Sequence, residues 1–191
     1  MVMSEQTRKV MFSNETAEWF TPPYLFDRYN QIHHFTLDPC TSSQNPLGCQ
    51  IFYTKEQDGL SQIWPKGNVW INPPYGRTIE QWVERAKDHA RLGKGTAVML
   101  LPGRIDVKWF HEYIWDAVAG RPYEDVDFEP LKGRVKFLTT DDGQQSNSPA
   151  FPSMIVTFWK RQRQQAGKEK EEEEEAKEAG EVGNQTLLFS F

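Results

Sequence analysis

The stretch VWINPPYGRTIEQW, residues 69–82, carries the strongest structural signal in the chain. It opens with an apolar, strand-like run that stops abruptly at Asn72-Pro73-Pro74-Tyr75. Two prolines remove two backbone donors and fix two φ angles, so the loop after the strand is rigid. The following residues, TIEQWVERAKDHARLG, predict a helix capped by Thr78 and ended by Gly93, with Ile79, Trp82, Val83 and Ala86 on its apolar face.

The flanking segments alternate between helix and strand patterns. We expect a helix from about Pro23 to Gln31, and another in DVKWFHEYIWDAV. The predicted strands are FTLDPC, which ends in a turn, the buried run TAVMLLP (96–102), RVKFL and SMIVTFWK. Residues 41–67 are rich in Ser, Asn, Pro and Gly and predict mostly loop. This order indicates an α/β domain with a mainly parallel sheet.

Composition excludes several classes of protein. No apolar run approaches the roughly 18–20 residues that cross a bilayer, and the first residues lack the apolar centre of a signal peptide. We therefore expect a cytoplasmic protein without a membrane partner. Cys40 and Cys49 are then reduced thiols. Together with His33 and His34 they match no usual zinc-finger spacing, so no metal site is predicted.

The low mean hydropathy of −0.70 is not spread evenly along the chain. We predict a flexible N-terminus over residues 1–12, one domain over 13–160, a charged disordered linker over 161–184 and a separate apolar peptide, QTLLFSF, over 185–191. Residues 161–191 hold five basic and eight acidic side chains, so most of the net charge of −5 lies outside the domain. A nearly neutral domain needs a local basic face to contact nucleic acid.

The rigid loop offers two hydrogen-bond acceptors beside an aromatic ring. Ligands of open α/β sheets bind at the carboxyl ends of strands, where this loop lies. The acceptors are the Asn72 side-chain oxygen and the Pro73 carbonyl, and Tyr75 supplies the ring. This set suits a planar group that bears an –NH₂, such as adenine, cytosine or a carboxamide. Two acceptors free the lone pair of such a nitrogen for in-line attack on a methyl sulfonium.

These motifs resemble those of the phage-type DNA adenine methyltransferases, the Dam-like family. The resemblance covers about residues 16–158 and rests on EWFTPPYLFD, FTLDPC, YTKEQDGLSQIWPKGNVWINPPYG, IEQWVERA, MLLPGRIDVKWF, LKGRVKF and SPAFPSMIVTF. It implies a Rossmann-like fold, S-adenosylmethionine as the methyl donor and adenine in DNA as the substrate. Cytosine remains open as the target, because both bases offer an amine to the same acceptors.

The resemblance also assigns roles to individual residues. Asn72, Pro73, Pro74 and Tyr75 correspond to the catalytic motif. The cofactor-binding motifs correspond to Thr21, Pro22, Asp38, Pro39 and Asp58. Asp38 and Asp58 also suit simple turns. The chain departs from the wider class in two ways: TSSQNP replaces the glycine-rich turn after DPC, and residues 41–55 contain no acid for the cofactor's ribose.

DNA contacts are expected from cations near the catalytic loop. Arg77 adjoins the loop and Arg104 follows a buried strand, so both are candidate phosphate ligands, with Arg134 and Lys136 as further candidates. Alternatively, Arg104 pairs with Asp106, which suits the cap of the next helix. The enzyme must flip its base or accept single strands. Loops 41–67 and 117–150 are the candidates for sequence readout, which favours a short or relaxed target site.

The terminal QTLLFSF resembles a sliding-clamp-binding peptide. Gln185, Leu188 and Phe191 fit the archaeal and eukaryotic spacing, while Gln185, Leu188 and Phe189 fit the bacterial form. The alternative is a segment that packs on its own domain. Two rival functions also remain: a protein-glutamine methyltransferase, since a carboxamide is planar too, and an inert clamp-tethered DNA-binding module. The expected assembly is a monomer.

Overall fold

A computed structural model describes residues 19–138 and 148–160 of the chain. Its helices are Pro23–His33 (α1), Ile79–Arg91 (α2) and Lys108–Tyr113 (α3), with a 3-10 turn at Lys55–Gln57. Its strands are Leu37–Asp38 (β1), Ile51–Phe52 (β2), Val69–Ile71 (β3), Ala97–Pro102 (β4), Trp115–Asp116 (β5), Arg121–Pro122 (β6), Val126–Pro130 (β7) and Ser153–Phe158 (β8).

Six strands form one sheet in the order β2-β1-β3-β4-β8-β7. The first four are parallel, whereas β8 is antiparallel to both of its neighbours. Strand β7 therefore runs in the same direction as the first four, and the predicted α/β class with a mainly parallel sheet is confirmed. The carboxyl ends of β1, β3 and β4 consequently meet at one edge.

The central strands are buried on both faces. Val69 and Ile71 of β3 pack in the cluster with α2, while Trp70 points into the opposite cluster with α1. The six residues of β4 are all buried as well. Double-sided burial explains why these strands appear in the sequence as continuous apolar runs. The predicted apolar face of α2 is confirmed by the burial of Ile79, Trp82, Val83 and Ala86.

Several local predictions are wrong. The Thr78 side chain makes no capping hydrogen bond, because its backbone (φ −90°, ψ 0°) is helical rather than extended. Val107, not Asp106, precedes α3. That helix ends at Tyr113, and the rest of the predicted helix forms β5 and a turn in which Asp116 accepts the Val118 and Ala119 N–H groups at 2.9 and 3.0 Å.

The edges of the sheet were also predicted incorrectly. RVKFL forms no strand, since β7 already occupies the place beside β8, and Leu138 makes only a bridge with Phe20. The region 41–67 is mostly loop as predicted, but it contains β2 and the 3-10 turn. Among the described residues, no helix has the length and apolar character needed to cross a membrane.

Candidate active site

The Asn72–Tyr75 loop begins directly after β3, at the carboxyl edge of the sheet. The Asn72 side-chain N–H group donates to the Trp19 carbonyl. Because a carbonyl can only accept, this bond fixes the amide with Oδ1 on the other side. Pro73 is buried and Pro74 exposed, and no described residue donates a hydrogen bond to the Pro73 carbonyl. The loop therefore holds one oriented side-chain acceptor and one free main-chain acceptor.

Tyr75 is fixed through both its ring and its hydroxyl. The ring packs edge-on against Phe137 and Phe151, with centroids at 6.2 and 5.6 Å. The hydroxyl lies 3.0 Å from Asn72 Oδ1 and 3.2 Å from the Leu100 carbonyl. Its single proton serves one acceptor at a time, and Oδ1 retains a second lone pair. Burial raises the pKa of Tyr75 well above its usual value, so the hydroxyl remains a donor.

A cavity of about 360 Å³ opens beside this loop. Its volume lies within the range typical of small-molecule sites, and its walls mix aromatic, hydroxyl and carboxylate side chains. The lining residues are Trp19, Phe20, Pro39, Cys40, Thr41, Ser42, Ser43, Thr54, Lys55, Glu56, Asp58, Gly59, Leu60, Asn72, Pro73, Pro74, Tyr75, Thr78 and Trp82. All four predicted catalytic residues thus face one cavity, together with Pro39 and Asp58 from the predicted cofactor set.

Asp38 lies behind the cavity wall rather than on it. Its carboxylate is 3% exposed and accepts the Cys40 N–H at 3.1 Å. Burial raises the pKa of Asp38 to about 7, although hydrogen bonds from Cys40 and Thr41 oppose the rise. The Cys40 thiol lines the cavity and contacts the Asn72 backbone N–H. Asp38 therefore shapes the turn that supplies Pro39, Cys40 and Thr41 to the cavity.

Thr21 and Pro22 are also absent from the cavity lining. The Thr21 hydroxyl accepts the indole N–H of Trp70 at 3.3 Å, and the Pro22 carbonyl accepts the Leu25 and Phe26 N–H groups at the start of α1. The residues that reach the cavity are the two before them, Trp19 and Phe20. Thr21 and Pro22 thus anchor the segment that contacts the site.

The Asp58-Gly59 turn closes the opposite wall. Asp58 lines the cavity with a left-handed backbone (φ 52°). A Cβ at Gly59 would lie 1.8 Å from the Pro39 carbonyl oxygen, so only glycine lets the two walls approach. Glu56, which directly follows the acid-free stretch 41–55, also lines the cavity. A hydrogen bond from the Thr54 hydroxyl lowers the pKa of the Glu56 carboxyl.

The sequence patterns did not identify most of the hydroxyl side chains that line the cavity. Ser42, Ser43 and Thr54 fall in segments predicted only as loop, where no periodicity distinguishes a ligand-facing residue from a solvent-facing one. Trp82 was assigned to the apolar face of its helix, and it reaches the cavity as well. No strand was predicted before YTKEQDGL, so no pattern in the sequence indicated Glu56, and β2 becomes visible only in the structure.

The structure describes the predicted DNA contacts but not the predicted clamp contacts. Arg77 and Arg104 are both exposed, and neither forms an ion pair with any described residue, including Asp106. Gln185, Leu188, Phe189 and Phe191 lie outside the described residues, as do the predicted linker and N-terminus. No three His, Cys, Asp or Glu side chains of the described ranges come together as metal ligands.

Comparisons with known proteins agree with this arrangement. The family model for DNA N-6-adenine-methyltransferase (Dam) matches residues 9–182. A curated DNA N-6-adenine-methyltransferase of Haemophilus phage HP1 (strain HP1c1) is 29% identical over 142 residues. That match covers 73% of this chain and 77% of the phage protein.

Proposed function

Because the chain belongs to the DNA N-6-adenine-methyltransferase (Dam) family, we propose that it transfers a methyl group from S-adenosylmethionine to the exocyclic amine of adenine at the Asn72–Tyr75 loop. One observation carries this proposal: the loop places an oriented amide oxygen, a free main-chain carbonyl and an aromatic ring at the wall of one cavity. The mainly parallel sheet, with its site at the carboxyl edge, supports the Rossmann-like fold.

The loop activates the amine by accepting hydrogen bonds from its two N–H groups. Asn72 Oδ1 and the Pro73 carbonyl take one N–H each, and the nitrogen lone pair leaves conjugation with the ring. The Trp19 carbonyl holds the Asn72 amide in this orientation, so little reorganisation is needed as the nitrogen changes geometry. Tyr75 stacks on the base, at a free energy of about 1–3 kcal/mol per stacked base.

The cavity also fits the methyl donor. The Ser42 hydroxyl is buried there and has no hydrogen-bond partner among the residues that the structure describes, and unsatisfied buried groups commonly mark missing ligand atoms. We assign the ring of the donor to Pro39 and Asp58, its ribose hydroxyls to Glu56, and further polar contacts to Ser42. When bound, S-adenosylmethionine supplies an electrophilic methyl group. Thr21, Pro22 and Asp38 act from behind, by positioning the wall segments.

DNA reaches the site either with its base flipped or as a single strand. Arg77 and Arg104 contact its phosphates, and this role is supported by their exposed guanidinium groups, which form no ion pair with the described residues. The enzyme works as a cytoplasmic monomer with a domain over residues 13–160. A target read only by loops is short or relaxed, and sequencing of methylated DNA would test this, with a long strict site as the contradicting result.

The C-terminal peptide over residues 185–191 docks on a sliding clamp. Gln185 sets the register, while Leu188 and Phe189 or Phe191 enter an apolar groove. The 24-residue linker 161–184 spans about 25–30 Å as a coil, which keeps a nearly neutral domain close to clamp-bound DNA. Deleting residues 185–191 should abolish clamp binding in a pull-down and spare methylation of short oligonucleotides. Loss of both would instead show a structural role.

A single labelling experiment tests the activity. The protein is incubated with labelled S-adenosylmethionine and DNA, which is then digested to nucleosides. N6-methyl-2′-deoxyadenosine is expected in the digest. Label in the cytosine nucleoside would show that cytosine is the target base. Label confined to protein would support a protein-glutamine methyltransferase, and absence of label would support an inert DNA-binding module.

A further inference from the structure

A row of cations runs along the segment that follows β7 and ends at the active site. This segment, the basic strip, covers residues 131–138 after β7. Val135 and Phe137 are 4% and 0% exposed, whereas Lys132, Arg134 and Lys136 are exposed. From Arg134 to Phe137 exposed cations alternate with buried apolar residues, which places Arg134 and Lys136 on the side away from the core. Lys132 precedes them across a bend at Gly133, whose φ is 80°.

The buried side of the basic strip contacts the catalytic loop. The Phe137 ring lies edge-on to Tyr75 with centroids 6.2 Å apart, and it packs against Trp19 at 5.4 Å. Leu138 and Phe20 exchange two backbone hydrogen bonds of 3.1 and 3.2 Å. Since Trp19, Phe20 and Tyr75 all line the cavity, one end of the strip is fixed at the cavity wall.

The other end of the strip lies at the same edge of the sheet. The Leu131 N–H donates to the Ser153 carbonyl at 3.0 Å, and Ser153 pairs with Pro102 at the carboxyl end of β4. Arg104 follows two residues later. The strip thus extends from the Arg104 loop to the cavity, along the edge where the Asn72 loop also begins.

The strip cations have no acidic partners among the described residues. Elsewhere in this part of the chain, Arg28, Arg91, Lys108 and Arg121 each pair with a carboxylate. Alternate residues of an extended chain are about 6.7 Å apart, which is the expected separation of Arg134 and Lys136. With a rise of about 3.4 Å per nucleotide in one strand, this separation covers about two nucleotide steps.

We propose that Lys132, Arg134 and Lys136 bind the phosphodiester backbone of the DNA substrate, and that the contact of Phe137 with Tyr75 fixes this binding surface relative to the catalytic loop. The inference rests on the proposed function and extends it, because it names the surface that seats the DNA. Each phosphate that a cation of the protein neutralises releases counterions from the DNA. Each contact therefore steepens the dependence of binding affinity on salt concentration.

The test measures binding of a fluorescent duplex to the full-length chain at several salt concentrations. The variant Lys132→Ala/Arg134→Ala/Lys136→Ala should bind at least tenfold more weakly at about 0.1 M salt. At this ionic strength the Debye length is about 10 Å, so direct contacts between cations and phosphates still contribute to binding. Its slope of log affinity against log salt should fall in magnitude by about 2–3, at about 0.9 per contact. The control Lys66→Ala/Arg91→Ala/Lys160→Ala removes the same charge at the opposite edge and should leave the slope unchanged.

A third variant distinguishes loss of positive charge from misfolding as the cause of weaker binding. Lys132→Arg/Arg134→Lys/Lys136→Arg keeps the charges and should keep the wild-type slope. A slope for the alanine variant equal to that of the control would overturn the inference, as would an equal loss in the charge-conserving variant. The wild-type labelling experiment is independent: methylated DNA with an unaffected strip variant refutes only the inference, whereas wild type that labels no DNA refutes the proposed function itself.

Discussion

Replacing Asn72 with alanine should stop methyl transfer without unfolding the protein. The side chain makes one donated hydrogen bond, to the Trp19 carbonyl, and one accepted bond, from the Tyr75 hydroxyl at 3.0 Å. Losing both costs about 1 kcal/mol of unfolding free energy each. The catalytic loss is larger, because one of two preorganised acceptors disappears. Removal of such a group costs about 10²–10³-fold in kcat, or about 2.7–4 kcal/mol.

Asn68 provides a matched control at the other end of β3. Its side chain donates to the His33 carbonyl and accepts the Thr96 N–H at 2.8 Å, so Asn68→Ala also removes one donated and one accepted bond. Both variants should lose similar stability in urea, while single-turnover methylation of DNA should fall only in Asn72→Ala. An Asn72→Ala rate above one-tenth of wild type, or an equal fall in both variants, would refute the assigned role.

Three further predictions concern the cavity and its support. Tyr75→Phe keeps the ring and loses about 1 kcal/mol from the hydroxyl bonds, so its kcat should fall about three- to tenfold, less than for Tyr75→Ala; equal losses would contradict a stacking role. Burial raises the pKa of Asp38 from its usual 3.8 to about 7 in the fold, so wild type loses stability as pH rises from about 4 to 7. Asp38→Asn should therefore gain at most about 4 kcal/mol over wild type at pH 8 and nothing below pH 4 in urea titrations, and a pH-independent difference would exclude this cause. Gly59→Ala places a Cβ 1.8 Å from the Pro39 carbonyl and should abolish donor binding in calorimetry, unlike Gly120→Ala, where no atom lies within 4 Å; donor binding by Gly59→Ala would show that the walls can separate.

Burial decided which parts of the fold were predictable from sequence. Strands β3 and β4 are covered on both faces, so their apolar runs predicted them with nearly correct bounds. Strand β7, VDFEP, lies at the edge of the sheet and alternates acids with apolar residues before a proline. Its pairing depends on β8, which is distant in sequence, and no local pattern reveals such a contact.

The candidate site was predictable where its residues are adjacent in the sequence and form a rigid loop. Asn72 through Tyr75 form such a group, and all four face the cavity. Asp38 was predicted to contact the cofactor directly, but the structure places it behind the wall because its carboxylate accepts a backbone N–H of its own turn. Sequence patterns identify residues of a motif and do not distinguish those that touch a ligand from those that hold the turn.

The bond between Asn72 and Trp19 has a consequence for how this protein tolerates change. The acceptor is a main-chain carbonyl, which every amino acid supplies. A substitution at position 19 therefore keeps the main-chain acceptor of this hydrogen bond. An inserted or deleted residue beside it would shift the carbonyl away from the amide, and Phe20 would lose its register with Leu138. Evolution of this segment should accordingly permit replacements and reject changes in length.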